Sequence, residues 1–351
     1  MLRKNRILWN VTALLVISGY LNVESNAAEK PFAIQIVGEL KSYTAEFAQV
    51  IKPGSRIEKI TDDKFKWSEG PVWIPANKQS PGYLLADDVP ANIMYRWTET
   101  DGLSAFLQPS GLEKVDPAVF REPGANGLFY ESANTILSAD SGNRQITRID
   151  LNTKKKTSVV ASYQGKKLNS PNDVIKSRSG IIYFTDPPYG LKDFDKSPPA
   201  KELKFNGVYR VATDGSVSVI DDSLAYPNGI ALSPDERTLY VSVSDPTNPV
   251  WMAYTLDENG KVISKREFAN AKDLVAAGLP GLPDGMKVAN DGHIFASAPG
   301  GILVMNAKGE RLGMISTGTN VANCTFGDDG TTLYMTSNHF LARIKLAIKA
   351  R

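Results

Sequence analysis

Six times along the chain the same apolar, β-branched strand returns. It reads Tyr83-Leu-Leu-Ala-Asp87, Thr135-Ile-Leu-Ser-Ala-Asp140, Ile181-Ile-Tyr-Phe-Thr-Asp186, Thr238-Leu-Tyr-Val-Ser242, His293-Ile-Phe-Ala-Ser297 and Thr332-Leu-Tyr-Met-Thr-Ser337. With Ala86, Ala139, Thr185, Ser242, Ala296 and Thr336 taken as equivalent, the spacings are 53, 46, 57, 54 and 40 residues. Repetition at such a period marks a fold made of one small unit copied, and no long segment keeps a helical period. Two units resolve into four strands each. In one, Asp173–Lys176, Ile181–Thr185, Asn206–Val211 and Ser216–Ile220 follow in order; in the next, Gly229–Ser233, Thr238–Val243, Trp251–Leu256 and Lys261–Phe268 do. Short alternating strands punctuated by Gly, Asn and Asp, four to a unit, are propeller blades. The expected fold is all-β: a six-bladed β-propeller of four-stranded antiparallel blades over residues 56–351.

The sixth copy holds only three strands, the last near Phe340–Leu346. Arg56-Ile-Glu-Lys-Ile60, just before the first copy, is expected to pair there as the fourth, closing the ring and removing exposed sheet edges. Residues 28–55 read as a lead-in segment. Two separate β-sandwiches, the alternative, find no natural boundary in this repeat.

Residues 1–27 read as a secretory signal peptide. Arg3, Lys4 and Arg6 precede the apolar stretch Ile7 to Leu21, and the small residues Ser25, Ala27 and Ala28 follow. That stretch is short of the roughly 20 residues a membrane span needs. An exported, periplasmic or secreted protein is expected, free of the membrane once the signal is removed. Without these residues the acidic and basic side chains are equal in number, so no charge imbalance favours nucleic acid or an anionic membrane as partner. Cys324 is the only cysteine, which rules out an internal disulfide. With His293 and His339 as the remaining soft ligands, a structural zinc site is also disfavoured.

A second element recurs ahead of the first. Each innermost strand opens on a side-chain oxygen, at Glu69, Asn126, Asn172, Asn228, Asp284 and Asn323, spaced 57, 46, 56, 56 and 39 residues apart. Innermost strands line a propeller's channel, so these six positions face one another across its axis. Asn-Gly and Asp-Gly are also common turn dipeptides chosen for positive φ. Glu69 is a poor turn former, however, and Asn172-Asp173 lacks the glycine. Two carboxylates converging on one axis repel unless a cation lies between them. Oxygen-only ligands of mixed carboxylate and amide character suit one Ca²⁺ or a similar hard ion, not zinc or copper; for turnover, Zn²⁺, Mn²⁺ or Mg²⁺ are kept as alternatives.

In an antiparallel meander the links from strand two to three and from strand four to the next blade emerge on the ring side. Those links are long: Phe106 to Ala125, Asn270 to Pro283 and above all Pro187 to Phe205. The opposite side carries tight turns such as Ser179-Gly180, Asp214-Gly215 and Asn259-Gly260. Long excursions in a compact fold are usually functional. Substrate is therefore expected to enter over the ring face, where Asp186 and Tyr189 head the longest link and are expected to contact it.

Five motifs carry a resemblance. Ser68-Glu-Gly-Pro-Val-Trp73, Leu168-Asn-Ser-Pro-Asn-Asp173, Tyr183-Phe-Thr-Asp-Pro-Pro-Tyr-Gly190, Tyr226-Pro-Asn-Gly-Ile230 and Leu282-Pro-Asp-Gly-Met286 stand in order at blade spacing. In them the chain resembles the gluconolactonase and senescence-marker-protein (regucalcin) family. The resemblance implies a six-bladed hydrolase of small lactones with a divalent cation in its channel. It implies that Glu69, Asn228 and Asp284 ligate the metal, that Asp284 also transfers the proton, and that Asn172 contacts substrate or metal. Two departures bear on the substrate. Ser170 stands where the sugar-lactone branch has an Arg that holds substrate hydroxyls, and Asp140-Ser141-Gly142-Asn143-Arg144 lacks a His found in related bacterial enzymes. The rival reading is a non-catalytic propeller that binds a ligand or protein on its long-loop face around a structural ion. Oligomeric state is not legible in the sequence.

Overall fold

A computed structural model describes residues 32–78, 80–196 and 198–350; the leader-like residues 1–27 lie outside them. Six antiparallel sheets form the blades of a six-bladed β-propeller. Blade one is Ser68–Ile74, Tyr83–Asp88, Ile93–Thr98 and Gly102–Leu107; blade two is Leu128–Ser132, Thr135–Asp140, Gln145–Asp150 and Lys156–Val160. Blade three is Val174–Lys176, Ile182–Asp186, Gly207–Val211 and Val217–Asp221; blade four is Pro227–Leu232, Thr238–Val243, Val250–Leu256 and Val262–Asn270. Blade five is Met286–Val288, Ile294–Ala298, Gly301–Met305 and Arg311–Ser316; blade six opens with Asn323–Gly327, Thr332–Ser337 and Phe340–Lys345. The strands of blades three and four lie within two residues of their expected bounds. The far-side turns are closed by glycines in the left-handed region, Gly180, Gly215 and Gly260 among them.

Period-two patterning puts the core between blades. In the second strand of blade three, Ile182 and Phe184 pack with Leu137, Ala139 and Ile146 of blade two. Their neighbours Ile181 and Tyr183 turn the other way, onto Ile230, Leu239 and Val241 of blade four. One strand thus serves two interfaces, because successive side chains point to opposite faces of a sheet. The seam between the last and first blades is filled by Trp73 stacked on Tyr334, with ring centroids 5.2 Å apart.

Blade six is closed as expected: Glu58–Lys59 pairs antiparallel with Phe340–Lys345, matching Ala342 to Lys59 and Arg343 to Glu58. The preceding segment does more than lead in. Gln35–Ile36 adds a fifth strand to blade six, and Glu39–Ser42 pairs with Arg311–Ser316 to add a fifth to blade five. A four-residue helix, Phe47–Val50, then buries Phe47 and Val50 in the core between those blades. The propeller's sheets therefore begin well before residue 56. These strands are two and four residues long with every side chain exposed, so they lack the alternation by which a half-buried strand is recognised.

Candidate active site

On the long-loop face a cavity of about 540 Å³ opens over the axis, within the range of small-molecule sites. Five of the six expected ring residues line it: Glu69, Asn126, Asn172, Asn228 and Asp284. The sixth does not. Asn323 Oδ1 accepts from the Cys324 amide at 2.8 Å and lies 3.4 Å from Lys287 Nζ. Its side chain belongs to the channel beneath the cavity floor, with Asp173 and Lys287.

The glycines after the ring residues explain how the floor is assembled. Gly229 and Gly285 do not have positive φ, so turn chemistry is not their purpose. A Cβ on Gly229 would lie 2.3 Å from the Asp284 carbonyl oxygen, and one on Gly285 would lie 1.9 Å from Asn323 Cγ. Inner strands converge so closely at the axis that only glycine fits. Hydroxyls on the second strands pin the ring from behind. Thr185 Oγ1 donates to the Asn228 carbonyl at 2.5 Å, and Ser242 Oγ to that of Asp284 at 2.6 Å. Each pin crosses from one blade to the next.

Side-chain orientation follows. Asn228 Nδ2 donates to Ser244 Oγ at 2.9 Å, and Ser244 in turn donates to the Pro283 carbonyl. This relay commits the amide nitrogen and leaves Asn228 Oδ1 buried without a partner; Asp284 Oδ1 is likewise unpartnered. Glu69 is buried, accepting from the Gly70 amide at 3.1 Å and from the Trp67 side chain. Burial above all, then the charge of Asp173, pushes its carboxyl up to about 8 despite those hydrogen bonds. Burial also drives Asp284 well above the usual carboxylate range, with the negative charges of Glu69 and Asp173 adding to it. Two crowded carboxylates and an orphaned amide oxygen form a donor set that lacks a positive partner. These residues fit a hard divalent cation. Among the described residues no three His, Cys, Asp or Glu side chains gather into one group, so a cation here needs amide oxygens as well as acids.

Above the floor the wall is aromatic. Tyr189 stacks on Tyr226 at 5.8 Å between centroids, and Phe194 meets Tyr189 edge-on at 5.3 Å. Tyr189 thus stands in the cavity as expected, brought there by the Pro187–Phe205 link together with Phe194 and Asp195. Asp186 does not. It is fully buried behind blade three, where its Oδ2 accepts from the Asn169 amide at 2.8 Å and its carbonyl accepts from Asn169 Nδ2 at 2.8 Å. Burial pushes it up to about 7. Its outward neighbours Pro187 and Pro188 turn the chain, so Asp186 anchors the link and Tyr189 reaches the cavity.

Ser170 is 1% exposed. Its hydroxyl donates to the Pro187 carbonyl at 2.7 Å and accepts from the Gly190 amide at 2.8 Å. It fastens the long link and does not line the cavity. His293 and His339 also lie outside the cavity lining, with His293 Nε2 3.2 Å from Glu46 and His339 Nδ1 2.9 Å from the Phe65 carbonyl. Residues not foreseen are Trp67, Arg121, Glu122, Tyr226 and Ser244. The first four flank or lie within features already singled out: the Ser68-Glu-Gly-Pro motif, the Phe106–Ala125 link and the Tyr226-Pro-Asn-Gly-Ile230 motif. Ser244 carried no signal, since its role is to orient Asn228.

Four likenesses bear on this site. Residues 67–339 match the pattern of the SMP-30/Gluconolactonase/LRE-like region. A gluconolactonase of Zymomonas mobilis is 42% identical over 95% of this chain and 92% of its own length. A pentonolactonase of Haloferax volcanii is 24% identical over 80% of this chain and 84% of its own. Among solved structures, a gluconolactonase of Xanthomonas campestris superposes with a TM-score of 0.77 at 30% identity, covering 90% of this chain and 98% of that one.

Proposed function

Because the chain belongs to the SMP-30/gluconolactonase family and is a lactonase, we propose that it hydrolyses a small lactone at the axial ring, with Asp284 moving the proton and Glu69, Asn228 and Asp284 holding one divalent cation. The observation that carries this reading is the pair of buried, unpartnered oxygens, Asn228 Oδ1 and Asp284 Oδ1, beside the carboxyl of Glu69 at the base of an aromatic-walled cavity. A divalent cation bound there, Ca²⁺ by the oxygen-only donor set, supplies Lewis-acid stabilisation to the oxyanion of the opening lactone and keeps the neighbouring carboxylates ionised.

The residues of the chain do the rest. Asp284, as carboxylate, accepts a proton from a water whose oxygen bonds to the lactone carbonyl carbon. The ring carbon–oxygen bond then breaks, and the same proton passes from Asp284 to the departing alkoxide, leaving a hydroxy acid. General acid–base assistance of this kind contributes about 10²–10⁴-fold. Asn172, on the cavity wall, donates its amide to the substrate. Tyr189, Phe194 and Tyr226 cover the ring's apolar face and thin out the water around it. The leader-like residues 1–27 place this reaction outside the cytosol in our reading.

The test is acid release from a panel of lactones, with and without a chelator, by wild type and Asp284→Ala. We expect chelator-sensitive turnover by wild type alone. No turnover of any lactone or ester with Ca²⁺, Mn²⁺, Mg²⁺ or Zn²⁺ would leave a binding propeller as the better reading.

A further inference from the structure

The two longest links on the ring face are joined into one arch. Arg121 and Glu122 donate their amides to the Gly190 carbonyl at 2.9 and 3.2 Å, the Lys192 amide donates to Val119 at 2.8 Å, and Phe120 bridges Leu191. Gly190 in turn sits on Ser170, where a glycine Cβ would come within 2.8 Å of Ser170 Cβ. A long side chain at position 170 and this arch exclude each other sterically. The arch carries its own cation instead. Among the described residues lining the cavity, Arg121 is the sole basic one.

Its guanidinium is held on two sides. Cζ lies 4.7 Å from the centre of the Phe194 ring, and Nη2 pairs with Glu122 Oε1. Glu122 is itself buried, 8% exposed, and lines the same cavity. Stacking and a charge-assisted pair fix the plane of the fork, while the Arg121 side chain stays 47% exposed with Nε and Nη1 uncommitted. Arg121 and Glu122 neutralise each other, and the acids Glu69, Asp284 and Asp195 line the same cavity. An anionic substituent gains little in such a field. Neighbouring hydroxyls gain most, since the free N–H donors of Arg121 and the carboxylate acceptor of Glu122 can engage both.

Resting on the lactonase reading above, we infer that Arg121 is the residue that grips the ring hydroxyls of the substrate, with Glu122 and Phe194 as its positioning residues, so that the enzyme selects neutral hydroxylated lactones over unsubstituted and carboxylate-bearing ones. Buried or preoriented polar groups discriminate through the cost of leaving them unpaired.

The experiment compares kcat/KM for a neutral polyhydroxylated aldonolactone, for δ-valerolactone and for a lactone bearing a carboxylate. It uses the metal-loaded full-length wild type and the variants Arg121→Ala, Arg121→Gln, Arg121→Lys and Glu122→Gln. Wild type should prefer the hydroxylated lactone over both others. Arg121→Ala and Arg121→Gln should cut its advantage over δ-valerolactone about tenfold, mostly through KM, the scale of one net hydrogen bond. Arg121→Lys should not restore it, because an ammonium cannot present the stacked fork, and Glu122→Gln should fall between. Arg121→Gln keeps length and polarity and decides the matter should the alanine variant unfold. A folded Arg121→Gln enzyme with an unchanged ratio, or equal loss on both lactones, overturns the assignment while sparing the lactonase reading. A wild type inert on all three lactones sinks both.

Discussion

Asn172 and Asp173 are chain neighbours, and they belong to two layers of the same channel that are built on opposite terms. Asn172 lines the open cavity with Glu69, Asn228 and Asp284. Asp173 lies one layer down, almost fully buried, accepting from the Val174 and Ile230 amides at 2.9 and 3.3 Å and from the Asn323 side chain, within the field of the Lys287 charge. Both layers bury carboxylates on the axis. The lower one is completed by the protein's own donors and its own cation; the upper one ends in oxygens with no partner. Strand geometry produces the difference, because successive residues of an inner strand cannot share one level of the axis.

The largest expected effect falls on the upper layer. Asp284→Ala should lower kcat by about 10²–10⁴-fold, the range for loss of a proton-transfer group, and circular dichroism should show an intact propeller. Loss of folding in that variant would erase the distinction between the layers.

Next comes metal. If the upper ring is incomplete, Ca²⁺ at a hundredfold excess over its Kd should stabilise the fold by about 2.7 kcal/mol, read as a melting temperature several degrees higher than with chelator. Glu69→Gln combined with Asp284→Asn should abolish that shift and also raise the chelated protein's melting temperature above that of chelated wild type, since it removes two crowded buried acids. A double variant that still responds to Ca²⁺ would place the ion elsewhere.

The lower layer gives the complementary test. Lys287→Met takes away the cation facing Asp173 and should cost about 1–3 kcal/mol in urea unfolding, the penalty of a buried polar group left short of a partner. Adding Asp173→Asn should recover part of it. Equal loss of Ca²⁺ response and stability in Lys287→Met would mean that the two layers act as one.

The smallest effect lies off the axis. Glu131 is held down to about 2 by hydrogen bonds from Arg148 first and then Lys176, a residue of the next blade. Its depressed value means the pair stabilises the native state fully above the ordinary 4.5 and loses that contribution as pH falls toward 2. The melting-temperature gap between wild type and Glu131→Gln should therefore shrink across that window while lactonase activity at neutral pH is unaffected. A constant gap would mean that charge is not what Glu131 contributes.

Much of this architecture is legible in the amino-acid sequence. Repeats such as Ile181-Ile-Tyr-Phe-Thr-Asp186 announce blades, and their alternation already encodes which side chains face which neighbouring blade. The ring oxygens were legible for the same reason, being one slot copied six times. Asn323 occupies that slot yet misses the cavity, since register places a residue on a strand and only packing decides whether its side chain rises to the mouth or turns to Lys287. Asp186 was misplaced by the same ambiguity: it heads a long link, but the two prolines after it carry the chain outward and leave it behind as an anchor.

The sequence by itself thus determined the number of blades, the closing strand and the identity of the axial oxygens, because each is written as a local pattern repeated at fixed spacing. Only the tertiary structure decided which oxygens stay unpartnered, that Ser244 orients Asn228, and that Arg121 from one link stands over Phe194 from another. Those facts depend on residues dozens of positions apart meeting across blades, and no local pattern records such a meeting.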